Sequence, residues 1–176
     1  MTKRPINVLF LCTGNSARSI LAEALVNRSA RRRVRAYSAG SEPKGFVHPE
    51  ALALLHRLRF DTTRLRSKSW HEFAHTDAPR LDVVLTLCDE AAEETCPVWP
   101  GAPLTAHWGT ADPAIDGTPQ EIHQAFASTF RLLRSRVSQL TSLPFAKLDE
   151  ASLRHRLREI GSSRGNGIDG ALDAQL

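Results

Sequence analysis

No apolar run in this 176-residue chain is long enough to cross a bilayer. Lys3 and Arg4 followed by Val8–Leu11 have the outline of a secretory signal. The apolar stretch is too short, however, and runs into Cys12 instead of a small-residue cleavage site. The cytoplasm is therefore the expected location. Cysteine is scarce, with three copies, an odd number. Without a secretory signal this argues against a disulfide framework and leaves reactive or redox thiols. No metal site is expected. The spacing of Cys88 and Cys96 is not Cys-x2-Cys and no second pair exists, while His71 and His75 lack a third ligand. Internal repeats are absent. The net charge is +4, concentrated in Arg31-Arg32-Arg33 and Arg35. No aromatic residues or reader motif accompany that run, so it reads as a solvated helix end and nucleic acid is not an expected partner. A basic surface would still draw in a small oxyanion.

With 41% hydrophobic and 24% charged residues, the chain can bury one ordinary core. Ile6–Leu11 is a nearly continuous apolar run, the pattern of a strand covered on both faces. From Ser16, helical spacing takes over with Ala17, Ile20, Leu21, Ala24 and Leu25. Val34–Ser38 reads as a second strand, closed by Gly40. Pro49 suits the first turn of a helix carrying Leu52, Leu54, Leu55 and Leu58. Leu81–Leu87 is a third strand and Leu104–Trp108 a short fourth. Thr118, with Glu121 three residues on, caps a long helix reaching about Leu140. The alternation predicts a single three-layer α/β domain: a central four-stranded parallel sheet with helices on both faces. The predicted domain spans residues 1–143. Residues 144–176 form a C-terminal extension, with one helix over 148–160 and a mobile Gly/Ser-rich tail.

Active sites in such sheets lie beyond the carboxyl ends of the strands, where Cys12 and Cys88 both fall. The stretch Cys12-Thr13-Gly14-Asn15-Ser16-Ala17-Arg18-Ser19 joins a strand to a helix through small and polar residues. Such a turn aims backbone N–H groups inward as an anion-binding nest, reinforced by the following helix N-terminus. Residues Thr13 to Ser19 are therefore the expected oxyanion-binding set. Arg18 offers a planar fork for two oxygens, and Ser19 can donate to the Cys12 sulfur. Dipoles and charge together are expected to lower the pKa of Cys12 toward a neutral-pH thiolate.

These residues carry a resemblance. Val8–Ser19 with Ala22-Glu23, Tyr37-Ser38-Ala39-Gly40, Leu87-Cys88, Cys96-Pro97, His107-Trp108-Gly109 and Asp112-Pro113 resemble the low-molecular-weight tyrosine phosphatase fold. Within that fold the likeness is to the thioredoxin-coupled arsenate reductases, and it runs from about residue 6 to 142. The resemblance implies that Cys12 attacks a tetrahedral oxyanion and that Asp112 is the general acid. It further implies that Cys88 attacks Cys12 to release arsenite and that Cys96 resolves the resulting disulfide. A phosphatase needs neither Cys88 nor Cys96, and it carries aromatic residues after Asp-Pro where this chain has Ala114-Ile115. The expected function is thus arsenate reduction, without a cofactor, using thioredoxin or another dithiol donor. A tyrosine phosphatase and a non-enzymatic oxyanion or redox sensor are the alternatives.

Two departures stand out. Seven residues separate Cys88 from Cys96, where some relatives have six. Some relatives also hold potassium beneath the loop, on positions matching Asn15, Glu23 and Ser38 plus an aspartate. Lys68 falls at the aspartate's position, so its ammonium is expected to replace the ion and support the loop. Were Asp89–Thr95 helical, Cys88 and Cys96 would lie about 12 Å apart, too far for a bond without unwinding.

Overall fold

A computed structural model describes residues 4–29, 33–165 and 176. Four strands, β1 (Ile6–Cys12), β2 (Val34–Gly40), β3 (Val83–Thr86) and β4 (Leu104–His107), form one parallel sheet in the order β2-β1-β3-β4. The helices are α1 (Arg18–Ser29), α2 (Pro49–Arg57), α3 (Asp89–Glu93), α4 (Pro119–Thr141) and α5 (Glu150–Ser162). Strand β1 lies between β2 and β3, which explains its unbroken apolar run: Val8 to Leu11 are fully buried.

Period-2 alternation sorts the strand residues onto two faces. Val8, Phe10, Val34, Ala36, Val83 and Leu85 join the larger core with α1, α2, α4 and α5. Leu9, Leu11, Ala39 and Val84 meet a second cluster built on Trp70, Phe73, Leu81 and Trp99. The cover over that second face is a 3-10 turn, Trp70–Phe73, and irregular chain. His71 lies on this turn, so the pair His71/His75 shares no α-helical face.

Helix α1 is buried from Ser19 through Val26, on every side, because it packs against the sheet strands, α2 and α4. The capping box of α4 forms as its sequence dictates: Thr118 Oγ1 accepts from Glu121 N, and Thr118 N donates to Glu121 Oε2. Helix α5 starts at an Asp149 cap and places Leu157 and Ile160 in the larger core. It lies tight against β4. A Cβ on Gly161 would collide with His107 O and stand 2.6 Å from the Trp108 ring. The tail expected to be mobile falls, from residue 166 to 175, outside the described residues, as do Arg31 and Arg32. Among the described residues, no helix is long and apolar enough to cross a membrane.

Candidate active site

Strand β1 delivers Cys12 to the carboxyl edge of the sheet, and the chain then bends through Thr13–Ala17 into α1. Outside partners fix this bend. Thr13 O accepts from Glu42 N, Gly14 O from Lys44 N and Ser16 O from His48 N. In a trans peptide the C=O and the next N–H point oppositely. With those carbonyls engaged outside, the N–H groups of Gly14, Asn15 and Ala17 face the concave side. Cys12, Thr13, Gly14, Ser16, Ala17 and Arg18 line a cavity of about 350 Å³, closed by Glu42, Lys44, Glu90 and Asp112. A cavity of that volume has ample room for a small oxyanion against the loop.

Arg18 reaches across to the loop after β4. Its Nη1 donates to Thr110 O and its Nη2 to Asp112 Oδ2, both at 3.1 Å. The expected acid and the expected anion fork thus share the same mouth. Asn15 and Ser19 sit differently from the other oxyanion-loop residues. Their side chains turn beneath the loop and do not line the cavity. Asn15 Nδ2 donates to Ser19 Oγ at 2.8 Å, which leaves the Ser19 hydroxyl hydrogen for Cys12 Sγ, 2.9 Å away. Asn15 holds φ at +41°, a left-handed conformation that asparagine tolerates better than most residues.

The support continues downward. Asn15 Oδ1 accepts from Lys68 N at 2.8 Å, and Lys68 O accepts from Gly40 N at 2.9 Å. Gly40 has no room for a Cβ, which would collide with Thr13 O, so β2 can run directly under the loop. The Lys68 ammonium is buried with its Nζ 3.6 Å from Glu23 Oε2, 3.4 Å from Ser38 Oγ and 3.0 Å from Arg66 O. Ser38 Oγ donates to Glu23 Oε2. Burial pushes Glu23 up and Lys68 down, while each charge steadies the other.

Burial also overturns the expected low pKa of Cys12. Desolvation pushes the thiol up, against Ser19 and Arg18, which pull it down, and with nearby Cys88 adding to the rise. Cys12, Cys88 and Ala91 form their own buried cluster, and Thr13 Oγ1 lies 3.5 Å from Cys88 Sγ. Cys88 occupies the N-cap position of α3 without spending its side chain on capping. Cys96 is elsewhere: half-buried, it packs against the Trp70/Trp99 cluster. All three thiols are free. Between Cys88 and Cys96, α3 is helical only to Glu93, and Glu94 is extended.

Sequence reasoning missed several contributors. Thr110 offers only its carbonyl, which any residue could supply. Ser67 donates to Gly14 O, and Glu42, Lys44 and Glu90 reach the mouth from other segments. Lys44 lies over Gly14, its carbons 3.2–3.4 Å from where a Cβ would sit. None of these has a local sequence signal except Ser67, the neighbour of Lys68. Among the described residues, no group of three His, Cys, Asp or Glu side chains could hold a metal ion.

Comparison with known proteins agrees with this geometry. The family model for low molecular weight phosphotyrosine protein phosphatases matches residues 7–154. An arsenate reductase from Shouchella clausii is 36% identical over 121 residues, 68% of this chain and 83% of that relative. An arsenate reductase structure from Archaeoglobus fulgidus superposes with TM-score 0.56 at 27% identity, covering 74% of this chain and 98% of that one. The thioredoxin-dependent arsenate reductase of Corynebacterium glutamicum shares the fold, with TM-score 0.53 at 24% identity. There 78% of this chain spans 64% of that chain's length. By sequence, fold and loop, this chain belongs to the low molecular weight phosphotyrosine protein phosphatase family, and within it stands with the arsenate reductases.

Proposed function

We propose that this protein reduces arsenate to arsenite by a three-thiol relay. The observation that carries the proposal is the buried cluster of Cys12 and Cys88 at the oxyanion loop, with Cys96 packed on a separate cluster beyond the five-residue helix. A phosphatase uses Cys12 alone; two adjacent thiols supply two electrons.

In the first step Cys12 sulfur bonds to arsenic and one arsenate oxygen departs. Cys12 thiol and hydrogen arsenate give a thioarsenate ester and water, with Asp112 delivering the proton to the leaving oxygen. Backbone N–H groups and Arg18 hold the remaining oxygens, where charge develops. Next the Cys88 thiolate attacks Cys12 Sγ. The Cys12–Cys88 bond forms, the sulfur–arsenic bond breaks, and its electron pair stays on arsenic, which leaves as arsenite. Cys96 then attacks Cys88, forming Cys88–Cys96 and freeing Cys12. A dithiol donor returns that disulfide to thiols. Thioredoxin is the donor named for the Corynebacterium glutamicum protein, and a thioredoxin-like donor is proposed here. Lys68 serves as the built-in cation beneath the loop.

Arsenite release in the presence of thioredoxin, thioredoxin reductase and NADPH tests the reading. Steady turnover is expected. Hydrolysis of p-nitrophenyl phosphate with no arsenite release would make the protein a phosphatase, and the absence of both would make it a sensor.

A further inference from the structure

Helix α3 is fastened at both ends to different parts of the active-site rim. At its first residue, Asp89 Oδ1 lies 3.1 Å from His107 Nε2, and His107 Nδ1 lies 2.9 Å from Thr86 Oγ1. One imidazole therefore ties the start of α3 to the ends of β3 and β4. At the other end, Ser41 Oγ donates to Glu94 Oε1 at 2.9 Å. Ser41 begins the segment whose next residues, Glu42 and Lys44, bond the Thr13 and Gly14 carbonyls. Beyond Glu94, Cys96 and Trp99 pack on the second cluster, where Trp99 Nε1 is buried without a partner among the described residues.

A Cys88–Cys96 bond requires the two Cα atoms within about 7 Å, so the segment between them must fold back. Which end travels follows from the order of the chemistry. Cys88 is still bonded to Cys12 when Cys96 arrives, so the Cys88 end stays and the Cys96 end moves. The Asp89–His107 contact is on the fixed side and the Ser41–Glu94 contact on the moving side. The unpaired Trp99 N–H marks the moving side as the poorly satisfied one, since a buried donor without an acceptor costs stability.

We propose that His107 and Ser41 are positioning residues with opposite duties: His107 keeps the Cys88 end at the oxyanion loop, and Ser41 holds the Cys96 end away until resolution. The proposal rests on the three-thiol relay. In the step that Ser41 restrains, the Cys96 thiolate bonds to Cys88 Sγ, the Cys12–Cys88 bond breaks, Cys12 leaves as thiolate, and the Cys96 proton goes to solvent. Burial, with the Glu94 charge behind it, holds the Cys96 thiol up, so moving outward also favours its ionisation.

The test uses the full reduced chain and one equivalent of arsenate without external reductant. The reaction is started by rapid mixing at neutral pH, where Cys12–Cys88 forms first and Cys88–Cys96 follows. Acid quenching, alkylation and peptide mapping then follow both disulfides. Ser41→Ala is expected to shorten the life of Cys12–Cys88 about three- to tenfold, the scale of one ordinary net hydrogen bond. Ser41→Thr, which keeps the hydroxyl, should behave as wild type. Glu94→Gln should shift the pH dependence of closure downward, whereas Ser41→Ala should leave its position unchanged. His107→Ala should slow formation of Cys12–Cys88 while p-nitrophenyl phosphate hydrolysis by reduced protein holds. An unchanged or longer-lived Cys12–Cys88 in Ser41→Ala, or unchanged or faster formation in His107→Ala, overturns the proposal. If Cys12–Cys88 forms in neither wild type nor Cys96→Ser, the relay itself fails, and the positioning roles fail with it.

Discussion

Cys12 shows how one side chain answers to two environments. The residue is 3% exposed, and burial outweighs the Ser19 hydrogen bonds and the Arg18 charge, so the folded thiol sits above its ordinary value of 9.0. A group raised on folding gives stability that is intact below the unfolded value and is lost as pH rises through the folded one. Cys12→Ser should therefore lose stability less steeply than wild type as pH rises above 9.0, in thermal unfolding of reduced protein. The same variant should release no arsenite and hydrolyse no phosphate ester, because its hydroxyl stays protonated. Lys68 presents the reverse problem. Lys68→Met strands a buried Glu23 with Ser38 as its remaining neutral partner, a loss of about 3 kcal/mol by denaturant unfolding. Pairing it with Glu23→Gln should recover most of that loss. The contiguous loop was readable because Cys12 to Ser19 are neighbours in the chain as well as in space. Lys68 was found through its place in the family pattern. Ser41, Ser67 and Thr110 were not found, because each makes its contact across 53 residues or more of chain.

Among the elements, α3 carries the proposed relay although it is the shortest α-helix among the described residues. Alanine and glutamate favour the helix at Asp89–Glu93, and the chain leaves it at Glu94, three residues before Pro97. Five helical residues make a marginal element held by its pins, suited to reversible unwinding. Cys96→Ser should complete one turnover, stall as a Cys12–Cys88 disulfide and keep phosphatase activity while reduced. Peptide mapping after a single arsenate addition checks this; normal turnover with thioredoxin would make Cys96 structural. The four strands were legible because apolar runs bounded by Gly, Pro and charge have few other readings. The cover over Leu9, Leu11 and Val84 was not legible. Trp70 and Trp99 stand alone in sequence without periodicity, and they meet through the fold, with ring centroids 6.4 Å apart.

At the scale of the whole molecule, Arg136 connects parts that the sequence reading kept separate. Buried in the middle of α4, it donates through Nη1 to Trp108 O, Gly109 O and Thr110 Oγ1, and through Nη2 to Ser163 O. It joins the loop that presents Asp112 to the C-cap of α5. Trp108 Nε1 adds a bond to Leu157 O at 2.8 Å. The stretch after Pro144 was read as an extension because the sequence likeness ends near 142. Its helical stripe was visible; its partner surface on β4 was not. Arg136→Met should cost about 3 kcal/mol, since several buried carbonyls lose their donor together. It should also lower turnover by loosening Thr110, whose carbonyl holds Arg18. Chemical denaturation with a kcat measurement on the remaining folded protein checks both effects.

The outward pull on the Thr13, Gly14 and Ser16 carbonyls has one more consequence. A ring of amides fixed before its guest arrives measures charge and tetrahedral shape, and by those measures phosphate and arsenate are twins. Discrimination must then come after capture. In the proposed relay a phosphorus centre cannot accept the electron pair that Cys88 would force onto arsenic, so phosphate would occupy the ring, spend no thiol and depart unchanged. Inorganic phosphate should compete with arsenate in steady-state assays, raising its apparent KM while leaving kcat intact. On that reading substrate is selected by what can be reduced, and the ring serves only as a waiting room.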